Sequence, residues 1–230
     1  GGFPSFRPVT GLSEEESLLV SLVHYRAAVE ALSRLGDASE KTSAQRREGN
    51  ALNELGQLHL RQGNLTEAEE YLSSALEVFE GVSDASNAAL VRCNIALMLR
   101  HRASKLEAPP TPPERMEPER RTLLARSVQT YEEASASLGP KNDSNVGIWT
   151  LVASELANTL CIFASQLQTA QHSEDSDQAC ALLRRALTLY QSFGMTEREC
   201  HVHVQLSQHW SALCQHWAAP PPPGPFWLRR

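Results

Sequence analysis

The chain has 230 residues, of which 41% are hydrophobic and 21% charged, and its formal net charge is −6. This length suffices for one elongated domain or for two compact ones. The acidic balance argues against the basic surface with which proteins neutralise rows of phosphates, so we expect no direct binding of nucleic acid.

Cysteine use and hydropathy indicate a reduced, intracellular environment, in the cytoplasm or the nucleus. The five cysteines are odd in number, widely spaced and without a CxxC pair, which favours buried thiols over a disulfide framework. No apolar run approaches the roughly 20 residues that cross a bilayer, so we expect no membrane contact. The chain does not begin with Met, and we therefore expect it to be part of a larger protein.

Apolar residues recur at spacings of three and four through most of the chain, which predicts helices and no strands. Between start signals and Gly or Pro breaks, the predicted helices lie near 13–35, 43–62, 66–81, 85–104, 118–138, 145–169, 176–193 and 196–217. Four starts have Ser, Thr or Asp followed three residues later by Glu or Gln, the spacing of a capping box. These four pairs are Ser13/Glu16, Thr66/Glu69, Asp175/Gln178 and Thr196/Glu199.

Two proline-rich stretches interrupt the helical pattern. Residues 107–120 contain five prolines that forbid regular helix, and residues 218–230 contain a proline run that favours polyproline II. We predict a flexible segment at 1–12, a helical repeat domain at 13–217 with 107–120 as an inserted loop, and a proline-rich tail at 218–230.

A repeated pattern marks alternate helices. Each copy has a small residue, a large apolar residue four positions later and alanine three positions after that. These positions share one helical face, where small side chains admit a neighbouring helix and the large one fills the space between. The copies are Ser21-Tyr25-Ala28, Ala68-Leu72-Ala75, Ser127-Tyr131-Ala134 and Ala179-Leu183-Ala186.

The stretch from Leu52 to Glu80 resembles a tetratricopeptide (TPR) repeat, a helix–turn–helix unit of 34 residues with fixed small and large positions. Matches to the family pattern stand at Leu55, Gly56, Gly63, Leu65, Ala68 and Ala75. His59 stands where Tyr is usual, and Leu72 where Phe or Tyr is usual. The resemblance implies a TPR-like α-solenoid of about four helix–turn–helix units with long inter-helix loops.

In the TPR family, the first helix of each pair lines a concave face that binds a peptide. The resemblance therefore implies a non-enzymatic protein-interaction scaffold with a protein or peptide ligand on that face. The family positions carry over to Asn50, Asn53, Gln57, Arg61 and, in the next unit, Asn94. The alternative for each of these residues is that it belongs to an ordinary solvated helix face and binds no ligand. A carboxylate clamp at Asn94 would also need Lys or Arg beside it. Cys93 and Leu97 flank the Asn, so we expect no such clamp, although three arginines could contribute from elsewhere: Arg61, Arg92 and Arg100.

The long loops and the stretch LVHYRAAVEALSRLGD also resemble the repeat region of erythroid differentiation-related factor, a nuclear protein linked to globin transcription. That resemblance implies a nuclear location and a role in the transcriptional regulation of differentiation.

The segment ECHVHVQLSQHWSALCQHW allows a different interpretation, a metal-binding or enzymatic helix. Zinc needs about four converging ligands, whereas on a straight helix these His and Cys residues point to several faces. A packed helix built on Leu206, Trp210, Leu213 and Trp217 is the simpler interpretation. Because no phosphate loop, HExxH motif or nucleophile elbow occurs, we expect no catalysis, no metal and no cofactor. A nucleic-acid-associated factor is the third alternative.

Overall fold

The computed structural model describes residues 11–106, 116–168 and 173–218, without the side chains of 173, 209 and 212–218. These residues form eight helices and no strand, which confirms the predicted all-α solenoid class. The helices are α1 (Glu14–Leu35), α2 (Ala38–Gln62), α3 (Leu65–Gly81), α4 (Ala85–Lys105), α5 (Pro118–Ser137), α6 (Val146–Gln168), α7 (Ser173–Ser192) and α8 (Thr196–Ala218). Most of the predicted flexible segment, proline-rich loop and tail lies outside the described residues.

The observed helix starts show that one of the four predicted capping boxes is present and that three were wrong. At α1 the box is present: Ser13 Oγ accepts the Glu16 N–H at 3.2 Å, and Glu16 Oε2 accepts the Ser13 N–H at 2.8 Å. The other three were wrong because Thr66, Asp175 and Thr196 lie inside the first turn of their helices instead of before it. The spacing of a capping box does not itself show which residue leaves helical geometry.

The second helix begins earlier than its predicted start near residue 43. Asp37 precedes it, and its Oδ1 atom accepts the Glu40 N–H at 3.0 Å, which satisfies a donor of the first turn. Both α1 and α2 end at glycines in the left-handed region, Gly36 at φ 75° and Gly63 at φ 82°. Asp37 is thus a cap that apolar periodicity overlooked.

The chain divides into two compact units, one of Gly1–Ala108 with Pro118–Leu156 and the other of Pro109–Glu117 with Ala157–Arg230. In the first unit α1 packs on α2, α2 on α3, α3 on α4 and α4 on α5, and α2 also contacts α4. Neighbour-on-neighbour packing is typical of helical repeats. One apolar cluster joins α1 to α4: Leu18, Leu22, Leu52, Leu55, Leu72, Ala75, Phe79, Ala88 and Val91.

The predicted repeat positions of α3, α5 and α7 lie in the packed interior of their units, whereas Ser21, Tyr25 and Ala28 on α1 are only partly buried. Fully or almost fully buried side chains are those of Leu55, Ala68, Leu72, Ala75, Tyr131, Ala134, Leu183 and Ala186. Gly56 lies against Leu72, whereas Gly63 ends α2 and its carbonyl accepts a hydrogen bond from Lys105 Nζ at 2.7 Å. Between α4 and α5, the buried Ser127 Oγ donates to the Ala96 carbonyl at 2.7 Å.

The second unit contains the end of α6 together with α7 and α8. The last two helices pack on each other across a turn at Gly194, whose φ is 67°. The Met116 N–H donates to the Oδ2 atom of the buried Asp175 at 3.2 Å, which ties the residues before α5 to the start of α7.

Helix α6 is long and apolar enough to cross a membrane, although no uninterrupted apolar run indicated this. In its most apolar window, 44% of the residues are buried inside the protein. The core helix of a helical protein passes the same test, so this is weak evidence for a membrane span.

Candidate protein-binding surfaces

A row of polar residues follows one side of α2. Asn50, Asn53, Gln57 and Arg61 recur at spacings of three and four, which places them on the same helical face. Asn53 is only 8% exposed, Asn50 and Gln57 are partly buried, and Arg61 is exposed. Together with Asn94 on α4 we call these residues the polar face.

A hydrogen bond joins the two helices of the polar face. Asn94 Nδ2 donates to Asn53 Oδ1 at 2.8 Å, across 41 residues of sequence. The remaining side-chain groups of the pair are the Nδ2 donor of Asn53 and the Oδ1 acceptor of Asn94. Neither has a protein partner among the described residues. The two side chains together therefore offer a donor and an acceptor to a ligand.

The C-terminal end of the row lies beside the acidic first turn of α1. Arg61 lies 3.2 Å from Glu14, and His59 Nε2 lies 3.5 Å from Glu15 Oε1. The pKa of Glu54, which is half-buried on the same helix, is above its usual value because burial disfavours its carboxylate, while Arg61 acts in the opposite direction. This end of α2 is thus already neutralised by neighbouring charges.

A carboxylate clamp around Asn94 lacks free cations. Such a clamp needs charge-assisted donors that converge on the ligand. The three candidate arginines are each in another ion pair: Arg61 with Glu14, Arg92 with Glu80 and Arg100 with Glu155. The polar face therefore presents amides more than charge.

Burial raises the pKa of two cysteine thiols, Cys93 and Cys161. Burial raises the pKa of the Cys93 thiol to about 12, and the nearby Glu155 acts in the same direction. Burial also raises the pKa of Cys161 to about 11, against the opposing effects of a Tyr190 hydrogen bond and Arg198. Both thiols stay protonated near neutral pH, where only a thiolate would react.

A cleft of about 580 Å³ opens in the second unit between α6 and α8. The buried side chains of Cys161 and Tyr190 form its base, and Arg198 lies over the Tyr190 ring at 6.0 Å from its centroid. Half of the other lining side chains are amides or a hydroxyl, namely those of Asn158, Ser165, Gln166 and Gln205. Sequence reasoning missed this cleft, although the positions 198, 201 and 205 share one face of α8 and could have indicated it.

The C-terminal His and Cys residues do not converge where their side chains are described. Cys200, His201 and His203 are exposed, and no group of three potential metal ligands exists among the described residues. The side chains of His209, Cys214 and His216 lie outside that part of the chain.

Comparison with protein families decides the relationship. The family model for the TPR repeats of erythroid differentiation-related factor 1-like proteins matches residues 44–219. The chain belongs to this family. The matched residues begin inside α2 and include every candidate residue of the polar face, so both resemblances drawn from the sequence are confirmed.

Other comparisons add little to the erythroid differentiation-related factor 1-like family. No curated protein sequence matches the chain. Among solved structures, a de novo designed helical repeat protein is similar at 20% identity over 86% of this chain and 91% of that chain, with a TM-score of 0.33. A similarity at this level says nothing about function. TPR families are typically non-enzymatic scaffolds, and their repeats generally mediate protein interactions.

Proposed function

We propose that this chain is a protein-interaction scaffold whose partner binds the polar face of α2 and α4. The family supports the scaffold role, since helical repeats of this type generally bind other proteins. The observation that carries the choice of surface is the Asn53–Asn94 hydrogen bond. It fixes two amides on the first helices of consecutive repeats, at the positions where TPR proteins hold a peptide.

The chemistry of the polar face suits the main chain of an extended segment. A peptide backbone presents alternating N–H and C=O groups, and the Asn53 N–H groups and the Asn94 carbonyl complement them. Asn53 is almost fully buried, so a hydrogen bond to it forms in a less polar environment than water. Because the nearby arginines are already paired, the partner segment need not carry a particular charge.

The test is recovery of partner proteins on the immobilised chain, compared by quantitative mass spectrometry between the wild type and Asn53→Ala/Asn94→Ala. We expect the recovered amount of each partner to fall about tenfold, because the variant removes two hydrogen bonds from a partly buried site. A matched control is Gln129→Ala/Glu133→Ala, which removes an exposed side-chain pair on α5.

The control variant is expected to retain the partners. Unchanged recovery on the Asn53→Ala/Asn94→Ala chain, with its helical circular dichroism intact, would show that the partner binds elsewhere. Equal loss on both variants would indicate a general effect on folding and would also contradict the assignment.

We further propose that the protein acts in the nucleus, in the transcriptional regulation of differentiation. Support comes from the family, which is named for an erythroid differentiation-related factor. With its acidic net charge, the chain would act through protein partners instead of direct contact with DNA.

A further inference from the structure

The α6–α8 cleft contains one arginine, Arg198. Arg198 is exposed, and among the described residues no carboxylate lies at ion-pair distance from it. Its guanidinium lies 6.0 Å from the centroid of the Tyr190 ring. A guanidinium placed over an aromatic ring keeps its planar edge available for a carboxylate.

The charge of the cleft suits one carboxylate better than a phosphate chain. His201 follows Arg198 by three residues on the same wall, and Glu197 also lines the cleft. One permanent positive charge beside one negative charge cannot balance the several charges of a polyphosphate or of nucleic acid. A single carboxylate on the ligand would pair with Arg198.

The amides of the cleft indicate the rest of the ligand. Gln205 Oε1 is buried and has no hydrogen-bond partner in the described part of the chain, whereas such an atom normally accepts from a donor. Asn158 stands on the α6 wall, where its amide offers both a donor and an acceptor. Main-chain N–H and C=O groups of a peptide satisfy both side chains, and Ile162 supplies an apolar contact for a neighbouring side chain.

We propose that the α6–α8 cleft is a second binding site, and that it takes an extended protein segment with an Asp or Glu side chain. The carboxylate pairs with Arg198, and the adjacent peptide N–H donates to Gln205 Oε1. The volume of about 580 Å³ is enough for a few residues of such a segment. The site shares no residue with the polar face, so it stands or falls separately from the function proposed above.

The experiment uses two fluorescein-labelled pools of degenerate nonapeptides, acetylated and amidated at their ends. The central residue is Glu in one pool and Gln in the other, and binding to the whole chain is followed by fluorescence polarisation. We expect the Glu pool to bind about threefold to tenfold more tightly, the contribution of one exposed charge pair. Arg198→Gln should make the two pools bind equally.

Three further variants separate the roles of the residues. Gln205→Leu should weaken both pools without changing their ratio, since it acts on the main chain. Arg184→Gln removes an exposed arginine of α7 that does not line the cleft, and should leave the preference intact. If Arg198→Gln fails to fold, Arg198→Lys takes its place in the test. It retains the charge without the planar fork and should keep only part of the preference for the Glu pool.

Several outcomes would overturn the proposal. These are equal binding of the two pools to the wild type, a preference that survives Arg198→Gln, and a preference that Arg184→Gln also abolishes. Absence of binding to either pool at about 1 mM peptide would do the same. A Gln pool with a free C-terminal carboxylate is the last comparison, and tighter binding of that pool would show that the site takes a chain terminus.

Discussion

At the scale of single residues, the close approach of α2 and α3 depends on Gly56. A Cβ atom placed there would lie 2.6 Å from Leu72 Cγ, and Leu72 is fully buried. The backbone N of Leu72 also lies 3.3 Å from that Cβ position, so a rotamer change of the Leu72 side chain alone could not relieve the clash. The glycine of the TPR pattern is therefore required by contact between helices.

We expect Gly56→Ala to lower the free energy of unfolding by about 1 to 3 kcal/mol, the usual cost of overpacking a core. Urea denaturation followed by circular dichroism measures the change. Gly81→Ala is the matched control, because a Cβ atom at that position meets nothing within 4 Å. The control should leave the midpoint unchanged or raise it slightly. Equal midpoints for Gly56→Ala and the wild type would show that the helices can separate without cost.

At the scale of elements, the turn between α3 and α4 contains one residue in an unfavourable conformation. Ser83 has a φ of 54°, and it is the non-glycine residue with positive φ in the described part of the chain. The turn is closed by the Asp84 N–H, which donates to the Phe79 carbonyl at 2.9 Å. Asp84 then caps α4 by accepting the Asn87 N–H at 3.2 Å. The two helices are thus joined by a tight turn that a side chain at position 83 strains.

Ser83→Gly should stabilise the protein by about 0.5 to 1 kcal/mol, since glycine adopts the left-handed region without steric cost but loses more entropy on folding. The same denaturation measurement applies. Ser73→Gly, at an exposed position inside α3, should instead destabilise by about 0.5 kcal/mol. Destabilisation by both changes would mean that the entropic loss exceeds the relief of strain at position 83.

At the scale of the whole molecule, the family match covers more than half of the chain and includes residues of both compact units. Each unit has its own candidate surface, the polar face in the first and the α6–α8 cleft in the second. The two proposed sites share no residue, so each can be tested separately.

The proposed nuclear location also concerns the whole molecule. We expect the protein to be recovered mainly in the nuclear fraction of differentiating erythroid cells. Cell fractionation followed by immunoblotting checks this, with cytoplasmic and nuclear marker proteins as controls. Exclusively cytoplasmic recovery throughout differentiation would contradict a direct role in transcription.

Helix content and repeat positions were predictable because both are local properties. Spacings of three and four identify a helical face, and small residues at Gly56, Ala68 and Ala75 indicate close packing before any neighbour is known. Helix starts were less predictable: Thr66 has the right spacing for a cap, yet α3 begins one residue earlier. Competition between neighbouring residues for the cap position depends on how the preceding turn enters the helix.

The sequence by itself determined that the chain is all-α, that its helices pair as repeats, and which positions are small or large. Only the tertiary structure decided which distant polar groups meet. Asn53 and Asn94 were separate candidates until the packing of α2 and α4 brought them to 2.8 Å. The cleft around Arg198 likewise exists because α6, α7 and α8 bring their side chains together. Periodicity specifies the faces of a helix, whereas the packing of whole helices specifies which faces form a site.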